Sequence, residues 1–190
     1  MKTTKTHWKP GTMLYPLPAV VLSCGMNPED FNLITVSWAG TICTDPAMVS
    51  VSIRPQRRSH TIISETQEFV INMMESKDAW AVDYCGVKSG RDTDKWAVCN
   101  FKRVDSVVIK TPQIASAPVS IECKVKQVLK LGSHDCFLAE VVNVSVRSDL
   151  VNEKGYLNLK KADLFAYVHG EYLSFGKSLG KFGFSVKKKK

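Results

Sequence analysis

No apolar run in the 190 residues approaches the roughly 18–20 needed to cross a bilayer as a helix. The opening residues, MKTTKTHWKP, carry positive charge but no apolar stretch follows them, because Pro10, Pro16 and Pro18 interrupt. No secretory signal is expected from such a start, and the chain reads as cytoplasmic. There is no G-x-G-x-x-G for a dinucleotide turn, no G-x-S-x-G nucleophile elbow and no H-E-x-x-H metal helix. Gly176-Lys177-Ser178 looks like the end of a phosphate loop, but Glu171 stands where the required first glycine belongs. Four histidines are scattered at 7, 60, 134 and 169, and no Cys or His spacing resembles a zinc site. No metal ligands are expected, and no catalytic acid, base or nucleophile can be nominated. The six cysteines form no C-x-x-C, which suits free thiols better than a disulfide framework. Cys85 lies in an otherwise polar stretch, 84–91, where a redox role would need an electropositive setting.

What is present is ordinary for one globular core: 44% hydrophobic and 23% charged residues. A single domain over residues 1–186 is expected. Half of the net charge of +8 comes from the four lysines at 187–190, expected to form a disordered, solvated tail. A pI near 9.2 raises the possibility of a nucleic-acid-binding barrel. Such a surface interleaves aromatic residues with Lys and Arg along strands, and this chain does not. Neither nucleic acid nor membrane is expected as a partner.

The patterning is mostly that of strands. Alternation or short apolar runs predict strands over 19–23, 32–40, 48–54, 69–72, 164–168 and 171–175. A long hairpin is predicted from 119–131 and 136–146, turned by Gly132-Ser133-His134-Asp135. Short helices fit 59–66 and 76–84, with Ser59 placed as an N-cap, and 96–101 is helical or irregular. About eight short strands with inserted helices point to a mainly β chain whose sheet closes on itself, because closure removes exposed edges.

Residues 32–72 carry the functional signal. Their non-core positions hold small hydroxyls, Thr35, Ser37, Thr41, Ser50 and Ser52, and then a basic cluster, Arg54, Arg57, Arg58 and His60. A strand pair with no ligand would place Lys and Glu on its wet face. A helix starting near Ser59 offers free backbone N–H groups beside the arginines, which together suit a phosphate. Hydroxyls beside guanidinium groups suit a phosphorylated, polyhydroxylated ligand. The competing readings are plainer: Thr35 and Ser37 as ordinary β-formers, Trp38 as core, Lys88 and Arg91 as loop charges, His134 as an idle turn residue.

The order N-L-I-T-V-S-W-A-G, D-P, S-I-R-P-Q-R-R-S-H and E-F-V-I-N resembles the flavin reductase-like family of FMN-binding split barrels. The subgroup it is most similar to is that of flavoredoxin and archaeal ferric reductase. Y-C-G-V-K-S-G-R-D-T-D-K-W, H-D-C-F-L-A-E-V and Y-V-H-G-E-Y fit later in the chain, so the resemblance spans about 15–175. It implies a Greek-key split barrel of about six strands with a few short helices, one FMN per subunit and a homodimer. By the same resemblance, Asn32, Thr35, Ser37 and Trp38 lie along the flavin ring and ribityl chain. Ser52, Ile53 and Arg54 give ring and phosphate contacts, and Ser59, His60 and Thr61 start the phosphate-binding helix. Lys95, His134 and Tyr167 approach the cofactor. The activity implied is NAD(P)H-dependent reduction of the bound flavin by hydride transfer, with electrons passed to free flavin, a ferric complex or a redox protein. The alternative is an electron-transfer module with no nicotinamide reaction.

Overall fold

The structure, a computed structural model, describes residues 4–186. The lysines at 187–190, expected to form a solvated tail, lie outside the described residues. The first strands are β1 (Leu17–Pro18), β2 (Val20–Cys24), β3 (Asn32–Val36), β4 (Ala39–Thr44) and β5 (Ala47–Ile53). Next come α1 (Arg58–Thr66), β6 (Glu68–Met73), α2 (Ala79–Val87) and α3 (Lys95–Val98). β7 (Arg103–Val104) and β8 (Gln113–Ile114) form a short pair. The chain ends with the long hairpin β9 (Val119–Lys130) and β10 (Asp135–Val146), then β11 (Phe165–Val168) and β12 (Glu171–Ser174).

Seven strands make one antiparallel sheet in the order β3-β2-β6-β9-β10-β5-β4, and β1-β11-β12 make a second. The edge strands β3 and β4 are consecutive in the chain, separated only by Ser37 and Trp38. The alternating pattern predicts one strand over 32–40, because both halves alternate in phase. The structure breaks it at Ser37-Trp38. The Ala39 N–H bonds back to the Ser37 carbonyl (3.0 Å), and the Trp38 carbonyl accepts the Ser52 N–H (2.9 Å). The chain thus steps from one edge of the sheet to the other and closes it as a split barrel.

Alternation then divides the core. Leu22, Ile34, Val51, Ile53, Phe69 and Phe137 pack inside the barrel, joined by Ile62 and Ile63 of α1. Val21, Leu33 and Phe165 face outward, under Ala81, Val82 and Cys85 of α2 and Trp96 of α3. β2 is buried on both faces, which accounts for its unbroken run Val20-Val21-Leu22. Each such side chain contributes about 1.5–3 kcal/mol by leaving water.

Two buried carboxylates hold the irregular segment before β8. Glu122 accepts the N–H groups of Val107 (2.9 Å), Val108 (2.8 Å) and Ile109 (3.2 Å), and the amides of Gln113 (3.0 Å) and Asn143 (2.8 Å). Glu68 accepts Lys110 N–H (2.8 Å) and Thr111 N–H (2.9 Å). Burial alone would raise the Glu122 pKa. The amides of Val107, Val108, Asn143 and Ile109 outweigh burial and hold it below the ordinary value. Its contribution to stability is therefore present above the unfolded-state carboxyl pKa and is lost as pH falls through the lower folded one. Glu122→Gln replaces one accepting oxygen with an NH2 group that donates toward N–H groups that also donate, so urea unfolding at pH 7 should show a loss of about 2–4 kcal/mol. The gap from the parent should narrow as pH is lowered through the carboxyl range; a gap independent of pH would contradict an ionised Glu122.

Candidate functional site

The seam between β3 and β5 forms one wall of a cavity of about 280 Å³. Thr35, Ser37 and Trp38 line it from the β3 side, Ser52, Ile53 and Arg54 from β5. His134 enters from the β9–β10 turn, Tyr167 from β11, and Gly86 from the last turn of α2. Eight of the candidate residues, from four separate segments of the chain, thus line one cavity: Thr35, Ser37, Trp38, Ser52, Ile53, Arg54, His134 and Tyr167. The Thr35 hydroxyl donates to the Val82 carbonyl, leaving its lone pairs as the free hydrogen-bonding capacity. Trp38, 39% exposed, packs against His134 with ring centroids 4.4 Å apart and the rings tilted by 39°. The Ser133 hydroxyl lies 3.0 Å from His134 Nδ1 and steadies the ring from the other side. Burial, with the nearby Arg54 charge, holds the His134 pKa below its ordinary value, so the imidazole is mainly neutral at pH 7.

Ile34 and Arg57 are shared with a second cavity of about 300 Å³, lined by Asn32, Ser59, Arg58, Lys88, Arg91 and Lys95. No Asp or Glu lines either cavity. The guanidinium groups bond backbone carbonyls instead. Arg57 donates to Gly86 O (2.6 Å), Arg58 to Gly90 O and to Glu29 O (3.3 Å), and Arg91 to Gln56 O (2.9 Å). These bonds fasten the turn before α1 to the 86–91 loop and orient the cations without neutralising them. Burial, then the Arg54 charge, lowers the Arg57 pKa from its ordinary value, a mark of like charges held together. Gly90 is required by proximity: a Cβ there would stand 1.9 Å from Asn32 Oδ1. Arg57, which the basic cluster places beside a phosphate together with Arg54 and Arg58, lines both cavities. Lys88 and Arg91 read from sequence as loop charges and Gly86 carries no signal of its own; only the fold brings them to the cavity walls.

The remaining expected residues divide. Ser59 is not the N-cap; Arg57 holds that position with no side-chain cap, and helix α1 begins at Arg58. The Ser59 hydroxyl is buried and accepts from Asn32 Nδ2 (2.8 Å), joining α1 to β3. Lys95 is buried and donates to the carbonyls of Leu33 (2.8 Å) and Cys85 (2.9 Å), so two of its three N–H groups are committed. Burial pushes its pKa down to about 8. His60 lines neither cavity: its Nε2 lies 2.9 Å from Asp135 Oδ2 and its ring edges onto Phe137. Thr61 is exposed and also lies outside both. Cys85, expected in a polar loop, is instead buried in α2.

Among the described residues no helix is long and apolar enough to cross a membrane, and no cluster of His, Cys, Asp and Glu is placed to hold a metal. The architecture is that of known proteins. Flavoredoxin of Desulfovibrio vulgaris (Miyazaki F) is 25% identical, with a TM-score of 0.89 over 97% of this chain and 100% of its own. Flavoredoxin of Methanosarcina acetivorans, 24% identical, shares the fold with a TM-score of 0.87 over 97% of this chain and 100% of its own. An uncharacterized protein of Pyrococcus abyssi is 29% identical over 163 residues, which are 86% of this chain and 92% of that one. The family model described as flavin reductase like domain matches residues 12–174. With that match spanning most of its length, the chain belongs to the flavin reductase-like family.

Proposed function

We propose that this chain is an FMN-binding oxidoreductase that takes hydride equivalents from NADH or NADPH and passes electrons to a small acceptor or a redox protein. One observation carries the reading: two adjoining cavities share the Arg57 wall, one lined by hydroxyls and aromatic groups, the other by cations with no acid. FMN divides chemically in the same way, into a flat ring, a hydroxylated ribityl chain and a dianionic phosphate. The flavin reductase-like fold and the flavoredoxin likeness support a flavin as the ligand. The FMN-binding protein of Thermus thermophilus shares the fold.

In this reading Arg57, Arg58, Lys88 and Arg91, with the free amides at the start of α1, hold the phosphate. Ser37 and Ser52 hydroxyls and the Thr35 lone pairs serve the ribityl chain. Ile53, Trp38 and Tyr167 border the ring and exclude water. FMN, when bound, supplies a ring able to accept hydride and release electrons singly or in pairs. The protein's task is then positioning, which accounts for a site with no acid–base pair. His134, neutral and packed at a tilt against Trp38, stands at the mouth as a hydrogen-bonding group rather than a charge. Lys95 braces β3 against α2 beneath the phosphate region.

The reading extends to a homodimer. An apolar groove of about 640 Å³, lined by Met13, Leu14, Leu17 and Trp38, opens beside the site, and Leu14 is 85% exposed. Light scattering should return twice the subunit mass of 21.2 kDa, and a monomer would remove the dimer from the proposal.

Purified protein should be yellow, or become so with FMN, at about one flavin per subunit. A colourless protein that cannot be reconstituted would sink the flavin reading. Arg57→Ala and Arg58→Ala should each weaken FMN binding by roughly 10–100-fold, the loss of one charged hydrogen bond, with the circular dichroism unchanged. Unaltered FMN affinity in both would remove the arginines from the phosphate site. Under anaerobic conditions NADH or NADPH should bleach the flavin absorbance. If neither does while a chemical reductant does, the alternative of an electron-transfer module replaces the reductase.

A further inference from the structure

Helix α2 presents Ala81 and Cys85, one turn apart, toward α3. Cys99 caps the C-terminus of α3, and its sulfur lies over that turn, 3.7 Å from Cys85 Sγ and 3.9 Å from the Ala81 carbonyl. The two residues are fourteen apart in sequence, and α3 with its capping contacts holds them together. Cys85 is fully buried, whereas Cys99 is half-buried and reaches solvent. A disulfide needs sulfur atoms about 2.05 Å apart, so roughly 1.7 Å of approach separates this pair from a bond. No other two cysteine sulfurs are in contact among the described residues, and all six are free thiols.

We infer that Cys85 and Cys99 form an oxidisable dithiol, a modification site that a hydroperoxide converts to a disulfide. The accessible Cys99 sulfur attacks one peroxide oxygen. The O–O bond breaks, one water leaves, and Cys99 becomes a sulfenic acid. The Cys85 sulfur then attacks Cys99 Sγ. The S–S bond forms, the S–O bond breaks, and the hydroxyl leaves as a second water with the proton Cys85 gives up. Two thiols lose two electrons in total, and hydrogen peroxide gains them. Burial keeps both thiols protonated at neutral pH, with the adjoining Cys99 adding to the effect on Cys85. Little thiolate is then present, so oxidation is slow and needs an excess of peroxide, with the Lys95 charge beside both sulfurs opposing the effect of burial.

The bridge would act one residue from the cavity wall. The Cys85 carbonyl is a Lys95 acceptor, and the next residue, Gly86, lines the first cavity and accepts Arg57 through its own carbonyl. Gly86 has no slack on its strand side, since a Cβ there would meet Thr35 at 3.3 Å. Drawing Cys85 toward Cys99 moves the Arg57 acceptor away from the phosphate region.

The test uses the full chain. After treatment with hydrogen peroxide and alkylation, trypsin cuts at Lys88, Arg91 and Lys95, so Cys85 and Cys99 fall in the separate peptides 78–88 and 96–102. The expected result is one cross-linked species joining these peptides, which dithiothreitol splits and which Cys99→Ser abolishes. Recovery of both peptides with free thiols, or of Cys99 over-oxidised beside an intact Cys85 thiol, would overturn the inference. The effect on the cavity rests on the flavin reading and is measured separately, as FMN affinity before and after bridging. A several-fold weakening, reversed by dithiothreitol, is expected. Equal affinity in both states overturns the coupling through Gly86, whereas no FMN binding in either state overturns the flavin reading instead.

Discussion

The bond from the Ser52 N–H to the Trp38 carbonyl, 2.9 Å long, is where the barrel is drawn shut. β3 and β4 sit at opposite ends of a seven-stranded ladder and never pair with each other. The chain itself crosses the seam between them in two residues. That crossing brings Thr35 and Ser37 opposite Ser52 and Ile53, and it turns Trp38 outward against His134. A continuous strand over 32–40 would have left these groups on the two remote edges of an open sheet. The first cavity is therefore a product of closure, and its hydroxyls are available because the ladder is interrupted there.

A second constraint is electrostatic. Holding the half-buried Arg57 and Arg58 beside each other and beside the exposed Arg91 costs free energy unless their donors find partners. Here the partners are the carbonyls of Gly86, Gly90 and Gln56, which satisfy the donors but leave the charges standing. The positive potential of the second cavity is thus built into the free protein and is not assembled on ligand binding. Gly90 allows the 86–91 loop to lie against Asn32 closely enough for those carbonyls to reach. Loop, strand and helix start then behave as one preorganised surface, which lowers the cost of ordering a bound anion.

Strand patterning made much of the barrel legible. The long hairpin, the strand at β5 and the helix at α1 fall within a residue or two of the predicted bounds, because alternation and turn residues report local geometry. The break at Ser37-Trp38 was not legible: the side chains alternate straight through it, and only the distant Ser52 amide makes it favourable. Ser59 has the chemistry of an N-cap, yet the Asn32 side chain claims its hydroxyl from 27 residues away. His60 looked like one more member of a basic cluster, but Asp135 lies beside it across the barrel. In each case a contact distant in sequence redirected a residue whose local signal was sound. Thr35 and Ser52 sit on strand faces, where alternation alone sets direction, and Ser37 and Arg54 follow directly after those strands, so local pattern suffices to bring them to one cavity.

The layer beneath the site links these features. Lys95 donates its ammonium to β3 through Leu33 and to α2 through Cys85, so one buried cation ties the strand bearing Thr35 to the helix bearing Gly86. Thr35 returns the tie by donating to Val82 of the same helix. Any displacement of α2 is therefore felt on both sides of the first cavity, as movement of Gly86 and as loss of the Thr35 and Lys95 anchors. In the proposed reading, where the site acts by positioning with no side chain to give or take a proton, it depends on that stiffness more than on any single lining residue. It follows that substitutions at Val82 or Lys95, which reach the first cavity only through β3 and α2, should disturb ligand retention as much as those at Ser37 or Ser52, which line it.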